Sequence, residues 1–289
     1  MFSLSISHSN TLRALLAALL LAGFSAAGAD AASGVDLLKV ENGARPTGMG
    51  GAFTAVAGDP LSQSYNPAAT VGSSDFSAYF GHTAYWERIN FETLALSFVK
   101  GEAQFNFSAR LAEVSDLEAR GPAPSDDPLY NFDARDIALK AGAAYPVTER
   151  LDLGLSAGWI IEKVDFLRGS SFNVDIGALY TQSPQLAFGA SVTNLGGKLT
   201  LSETEIELPT TWRAGASYLL AAASTLLSAD VVYLDESAHA HFGAEYTGID
   251  RLELRAGFQS GYDSKNITFG AGFRQKDLRV DYAFVPYKN

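Results

Sequence analysis

The chain contains no cysteine among its 289 residues. This absence excludes disulfide bonds, a lipid-modified N-terminal cysteine and thiolate metal sites. Long apolar runs are also scarce, since no segment beyond the N-terminus approaches the ~20 apolar residues that a transmembrane helix needs. Clusters of basic residues are missing and the net charge is -11. We therefore expect no nucleic-acid partner.

The N-terminus has the features of a secretory signal peptide. Arg13 precedes a short apolar run at 14–21, and Ala27-Gly28-Ala29 forms a small-residue cleavage site. The run is too short to cross a bilayer, so a membrane anchor is the less favoured alternative. We expect cleavage of residues 1–29, with a cut after Ala31 as the alternative.

From about residue 75 onward, apolar and polar residues alternate with a period of two. Between 251 and 258, for example, Leu252, Leu254 and Phe258 share one strand face, and Glu253 and Arg255 share the other. Such segments recur near 75–82, 91–100, 103–114, 132–145, 150–162, 171–181, 185–193, 210–220, 224–233, 239–247, 250–258, 265–274 and 277–285. Their repetition behind a secretory signal predicts an all-β fold, a transmembrane antiparallel β-barrel of about 13–14 strands.

The connections between these segments alternate in length. Tight turns are expected near 100–102, 182–184 and 275–276, whereas the links at 83–90, 115–131, 163–170 and 194–209 are longer and more polar. Bacterial outer-membrane barrels have short periplasmic turns and long outer loops. The pattern therefore predicts a periplasmic N-terminus, an external 115–131 loop and location in the cell outer membrane.

Sorting the strand residues by parity assigns a charged set to the lumen. Acids and bases are nearly balanced in that set, which predicts cross-strand ion pairs rather than a pore ring of one sign. The residues are Lys140, Asp152, Asp175, Arg213, Asp230, Glu245, Glu253, Arg255, Arg274, Arg279 and Asp281.

Glycines form a second inward-facing set, and they predict an internal plug. Their positions are Gly142, Gly154, Gly158, Gly177, Gly189, Gly215, Gly243, Gly257, Gly270 and Gly272. Strand glycines often mark the close approach of another backbone, although they also permit curvature. Side chains cannot fill so wide a barrel. We therefore predict that residues 30–74, rich in Gly, Ala and Pro, form a hatch with a short helix within 49–56, and that 75–289 form the barrel.

The hatch segment also carries a family resemblance. The ordered elements at 36–40, 43–45, 48–53, 55–57, 59–60 and 65–68, with others at 175–180, 192–196, 254–258, 261–263 and 281–287, resemble outer-membrane proteins of the PorV/PorQ family. Asn66-Pro67-Ala68 is also similar to the hatch of long-chain fatty-acid transporters of the FadL type. The resemblance implies a fourteen-stranded FadL-like barrel plugged by its N-terminus.

Two functions follow from this resemblance. FadL-type members pass hydrophobic small molecules, so the first hypothesis is passage or binding of such compounds through a hatch-gated lumen. PorV-type members serve protein secretion and surface attachment, so the alternative is a non-transporting scaffold that contacts secretion-system proteins through the 115–131 and 194–209 loops. The lipid bilayer of the outer membrane is a partner under both. The hatch and gate candidates are Arg45, Met49, Gly50, Gly51, Asp59, Asn66 and Pro67.

The strand count leaves closure open, because bacterial single-chain barrels normally have an even number of strands. Thirteen segments imply a parallel closing pair, a truncated chain, or a missed strand near 37–40. No enzyme, cofactor or metal is expected. His239, His241 and Glu245 share one face, but a wet lumen explains them, and no Gly-x-Ser-x-Gly motif is present.

Overall fold

The computed structural model describes residues 33–85, 89–122 and 126–287. The predicted signal peptide, residues 1–29, lies outside them. Thirteen strands form one antiparallel sheet in which neighbours in sequence are neighbours in space, and a two-stranded hairpin interrupts the order between the seventh and eighth of these strands. The order of the sheet is that of the predicted barrel.

The strand bounds match the predicted segments closely. The first seven are β1 (Phe76–Ala84), β2 (Asn90–Lys100), β3 (Ala103–Ala119), β4 (Tyr130–Thr148), β5 (Leu151–Val164), β6 (Leu167–Ser183) and β7 (Leu186–Gly196). The separate hairpin is β8 (Leu199–Leu201) and β9 (Thr204–Ile206). The remaining strands are β10 (Thr211–Leu220), β11 (Thr225–Leu234), β12 (Ser237–Ile249), β13 (Leu252–Ser260), β14 (Ile267–Gln275) and β15 (Leu278–Phe284).

The predicted alternation of faces is confirmed. In β5, Leu155 and Trp159 are exposed while Ser156 and Ile160 are buried, because successive side chains of a strand point to opposite sides. Each of the thirteen strands exposes at least one large apolar side chain. A continuous apolar exterior of this kind is what a lipid-facing barrel wall presents.

Two predicted loops are shorter than expected. The 163–170 link is a two-residue turn, since β5 runs to Val164 and β6 starts at Leu167. The 115–131 link shrinks to 120–129, because β3 and β4 continue past a register shift between Val114 and Leu117. The register shift after Val114 breaks the period-two alternation of β3, so the pattern fades before the strand ends.

The hatch crosses the lumen from end to end. Its first residues lie at the end that carries the 120–129 and 197–210 connections, where Gly34 donates to Glu207 and Lys39 pairs with Asp235. Its last residues enter β1 at the opposite end, which carries the short turns. The prediction of an N-terminus at the short-turn end is therefore wrong for the described residues. We call the first end the mouth and the second the turn end.

Local structure in the hatch differs from the predicted helix at 49–56. The helix α1 is Ala44–Gly48 instead, and positive φ angles at Gly50 and Gly51 follow it. Short 3-10 helices lie at Asp36–Leu38, Pro60–Ser64 and Pro67–Thr70, with another at Ala221–Ala223 after β10. The second and third start on Asp59 and Asn66, whose side chains accept from Leu61 N and Ala68 N, as N-caps followed by proline do.

Within the described ranges, no helix has the length and apolar character needed to cross a bilayer.

The two edge strands of the sheet, β1 and β15, run in the same direction. Among the described residues no register pairs them, and they meet just beyond their ends, where the Tyr85 and Tyr287 hydroxyls are 3.1 Å apart. The alternative of a missed strand near 37–40 is wrong, since Asp36–Leu38 is a 3-10 helix.

Candidate functional site

Six of the ten predicted inward glycines lie directly against the hatch, five of them against its backbone. A Cβ on Gly154 would overlap the Pro67–Ala68 peptide, and one on Gly257 would overlap the backbone at Gly50. Gly189, Gly243 and Gly270 likewise face the backbone of Thr54, Met49 and Gly48, whereas Gly177 faces the side chain of Asn66. The glycines therefore form a smooth wall on which the hatch rests.

The other four inward glycines make room for side chains of the wall itself. Gly215 faces the carboxylate of Asp230, and Gly272 faces Asp281 and Arg255. Gly142 and Gly158 lie against Ser156 and Asn173 of the neighbouring strands. The period-two pattern of the strands identified all ten inward positions. It could not distinguish the glycines that contact the hatch from those that make room for wall side chains.

A network of four arginines and four carboxylates joins the hatch to β12–β15. In the hatch, Arg45 makes a two-pronged pair with Glu245 at 2.6 and 2.8 Å and a second contact to Asp59 at 3.0 Å. On the wall, Arg255 binds Glu245 at 2.6 Å, and it also pairs with Glu253. Four further pairs extend the network: Arg255–Asp281 at 2.7 Å, Arg279–Asp59 at 2.7 Å, Arg279–Asp281 at 2.8 Å and Arg274–Glu253 at 2.8 Å.

The network holds its hatch members in their charged forms. Burial alone would raise the pKa of Asp59, but the charges of Arg45 and Arg279 outweigh it and hold that pKa below its ordinary value. Burial would lower the pKa of Arg45, yet its bonds to Glu245 and Asp59 raise it. Four positive and four negative side chains make the network neutral overall. Buried charges are strongly unfavourable unless they are paired in this way.

Further polar contacts fix the middle of the hatch. Asp230 on β11 accepts from the backbone N–H groups of Phe53 and Thr54, both at 2.9 Å. The Asn66 amide donates to Thr54 O at 2.8 Å and to Ala178 O at 3.0 Å. Pro67 follows as the first residue of its 3-10 helix. Asn66 therefore connects two parts of the hatch with β6 of the wall.

The α1 end of the hatch is fixed by packing. Met49 is fully buried in a cluster with Phe53, Val56 and Tyr65. At Gly50 the φ angle is 63°, and a Cβ would lie 2.9 Å from Phe242 O. Gly51, with a φ of 69°, continues the turn. Only glycine enters this conformation readily.

The remaining predicted lumen residues lie on the opposite wall. Lys140 binds both oxygens of Asp175, at 2.9 and 2.7 Å, and Asn194 Oδ1 at 2.9 Å. Arg213 lies 5.2 Å from the ring centre of Tyr65. Asp152 faces the lumen near the turn end, opposite Pro146 and Leu179.

A cavity of about 560 Å³ opens at the mouth, above the hatch. Its apolar lining comes from both the hatch and the wall: Leu37, Val40, Phe91, Ala112, Val114 and Leu234. Below it, Leu37, Phe91 and Ile160 pack with Leu199 of the β8–β9 hairpin in a buried cluster. The volume falls in the range of small-molecule sites, about 300–1,000 Å³.

Sequence reasoning missed this apolar mouth. Phe91 lies on the same inward face of β2 as Thr93 and Ser97. An aromatic residue on this polar face could have indicated an apolar cavity. Leu199 lies in the segment 194–209, which carried no strand prediction.

A polar latch lies at the edge of the mouth. Glu41 accepts from Lys265 at 2.6 Å and from Gln259 at 2.7 Å. Burial would raise the pKa of Glu41, but the Lys265 charge and the hydrogen bonds from Lys265 and Gln259 together outweigh it and lower that pKa to about 2. Beside it, His241 shares a 2.9 Å hydrogen bond with the Tyr262 hydroxyl. Within the described residues, no group of three His, Asp or Glu is placed to hold a metal.

The fold and this geometry define a class: an antiparallel β-barrel whose N-terminal segment plugs the lumen. No protein-family model matches the chain. No curated protein sequence is similar to it at a significant level.

Solved structures do share the fold. The toluene transporter TodX of Pseudomonas putida superposes with a TM-score of 0.62 at 13% identity, over 84% of this chain and 91% of TodX. The toluene transporter TbuX of Ralstonia pickettii gives 0.58 at 17% identity, over 84% and 92%. Both are FadL-type barrels, so the predicted FadL-like fold is confirmed, whereas the likeness to the PorV/PorQ family stays a prediction.

Proposed function

We propose that this protein is an outer-membrane channel that binds hydrophobic small molecules at its mouth and passes them through the hatch-gated lumen. The observation that carries the proposal is the 560 Å³ mouth cavity, which is floored by the hatch and lined by apolar side chains together with charged ones such as Asp36, Arg135 and Lys265. A porin for polar solutes needs no such apolar chamber. The shared fold with toluene transporters supports the same substrate class.

The gate in this proposal is the hatch, residues 43–70. Its neutral ion network and its glycine-lined seat hold the closed state, and a ligand opens it only if it binds the displaced state more tightly. Arg45, Asp59 and Asn66 act as the polar pins that connect it to the wall. Arg45 and Asp59 contact the wall through ion pairs, whereas Asn66 contacts it through neutral hydrogen bonds.

The role of the mouth cavity is tested by a substitution that fills it with a large side chain. Val114 on β3 lines the mouth cavity, whereas Val231 on β11 is exposed on the exterior. We expect Val114→Trp to weaken binding of a fluorescent aromatic hydrophobe about tenfold or more, measured by titration of the detergent-purified protein. The matched Val231→Trp variant keeps the original affinity. Equal affinities in the two variants would place the binding site elsewhere.

The second candidate function is a PorV-like scaffold for protein secretion and surface attachment, supported by the ordered motifs at 36–68 and 254–287. It needs a free partner surface on the outer loops. In the 194–209 segment, Leu199 and Leu208 are buried against Leu37, so this part of the mouth folds inward. The 120–129 loop is the remaining candidate surface. Pull-down with and without this loop tests the scaffold, and recovery of the same proteins from both would count against it.

Location in the outer membrane, after removal of residues 1–29, is part of the same proposal. The exposed apolar side chains on all thirteen strands support it. Membrane fractionation and N-terminal sequencing of the mature protein test it. A soluble mature protein would contradict it.

A further inference from the structure

A second, much smaller cavity lies between the hatch and the wall. Its volume is about 30 Å³, which suits one small ion or a water or two. Ser64 contributes from the hatch, and β3, β4, β7 and β10 supply the other polar groups, including Ser108, Arg110, Lys140, Asn194 and Arg213. It is separate from the mouth chamber, since no residue lines both.

The charges around this cavity do not balance. Lys140 is neutralised by Asp175. Arg110 is buried, and its Nη2 donates to Val40 O at 3.1 Å, but its Nε has no partner. Arg213 has two buried nitrogens without partners, Nε and Nη1, and its guanidinium lies 5.2 Å from the centre of the Tyr65 ring. Among the described residues, neither guanidinium group forms an ion pair.

The nearest acids, Glu41 and Asp230, attract the two guanidinium groups but form no ion pair with either of them. Glu41 is bound by Lys265 and Gln259. Asp230 gives one oxygen to the hatch backbone, and its other oxygen faces Gly215. Neither acid comes within 4.0 Å of Arg110 or Arg213 in the part of the chain that is described. The other buried arginines of the lumen all have carboxylate partners, so these two are the exception.

We propose that this cavity binds a small inorganic anion of chloride size, with Arg110 and Arg213 as its cationic ligands. A buried charge without a partner is strongly unfavourable, and two neighbouring charges of one sign repel each other. One anion between them removes both effects and satisfies free N–H donors. Because Ser64 belongs to the hatch, the anion would also join the hatch to β3 and β10. The volume leaves no room for an alkyl chain.

Halide binding is the direct test. We expect crystals grown with sodium bromide to show an anomalous peak between the two guanidinium groups. In solution, replacing gluconate by chloride at constant ionic strength should raise the thermal midpoint by about 5 °C or more. Arg213→Gln and Arg110→Gln should lose most of that increment, whereas Arg213→Lys keeps part of it. The control Arg251→Gln, in an exposed turn, should retain it fully.

Three outcomes would overturn the proposal. Equal midpoints in gluconate and chloride would show that no anion is needed. An increment that survives in both Arg→Gln variants would mean an adventitious ion only. Displacement of bromide by decanoate would assign the cavity to the carboxylate of an amphipathic ligand. The first two results are independent of the transport proposal, since neither involves a hydrophobic ligand.

Discussion

At Arg45, a single guanidinium binds one carboxylate of the hatch and one of the wall. We expect Arg45→Met to destabilise the seated hatch by about 3 kcal/mol, because it leaves buried carboxylates short of a partner. Limited proteolysis of the hatch and the urea midpoint measure the effect. The control is Arg274→Met, whose side chain is half exposed and whose loss should cost about 1 kcal/mol or less. Equal losses of stability in the two variants would show that Arg45 does not connect the hatch to the wall.

The glycine seat gives a second prediction at the residue scale. Gly154→Ala and Gly257→Ala each place a methyl group where hatch backbone lies. We expect each to cost about 1–3 kcal/mol, as overpacking does, and to raise ion leakage through the reconstituted protein. Gly197→Ala is the control, because its Cβ would lie 3.6 Å from Ser171 Oγ, an ordinary contact. A Gly257→Ala protein that keeps its full stability and leaks no more ions than the unaltered protein would contradict the close contact between the wall glycines and the hatch.

Residue placement was largely predictable from the sequence, for a physical reason. The period of a strand is two, so one exposed residue such as Leu254 fixes the inward position of Glu253 and Arg255. Partner choice was not predictable, because it depends on strand neighbours and on the hatch. The pairing of Arg45 with Glu245 joins residues 200 positions apart.

At the scale of elements, the Glu41–Lys265 ion pair makes the stability of the hatch near the mouth depend on pH. The pKa of Glu41 is about 2 in the folded protein, below its ordinary value of 4.5. Its stabilising contribution is therefore complete above about pH 4.5 and is lost as the pH falls towards 2. Asp59, whose pKa is also lowered, acts in the same direction. We expect proteolysis of residues 33–60 by an acid-stable protease to accelerate below pH 4.

The control for the acid response is Glu41→Gln. This variant should be cleaved faster at neutral pH and should show a smaller acceleration on acidification. A hatch that is equally protected at pH 3 and pH 7 in the unaltered protein would contradict the latch.

The elements also show where sequence patterns stop being informative. Polar residues at 163–170 suggested a loop, yet β5 and β6 continue almost to their turn. The strands therefore extend beyond the segment in which the alternation of faces is clear in the sequence. The β8–β9 hairpin was missed because three-residue strands carry too little alternation to detect.

At the scale of the whole molecule, the hatch and the sheet depend on each other. Arg279 and Asp281 of the edge strand β15 bind the network that contains Arg45 and Asp59. On the other edge, the Tyr79 hydroxyl of β1 accepts from Ala44 N at 3.3 Å. The hatch thus bridges the two unpaired edges from inside. Sequence reasoning predicted the hatch and the odd strand count, but not this bridging role.

The most direct test of the gate is removal of residues 43–70, followed by uptake of a labelled aromatic hydrophobe and by ion conductance, with barrel assembly checked by circular dichroism. The account predicts that the intact protein takes up the hydrophobe saturably and conducts few ions, whereas the deletion loses saturation and conducts freely. Unchanged uptake and unchanged conductance in an assembled, hatchless barrel would contradict the gate.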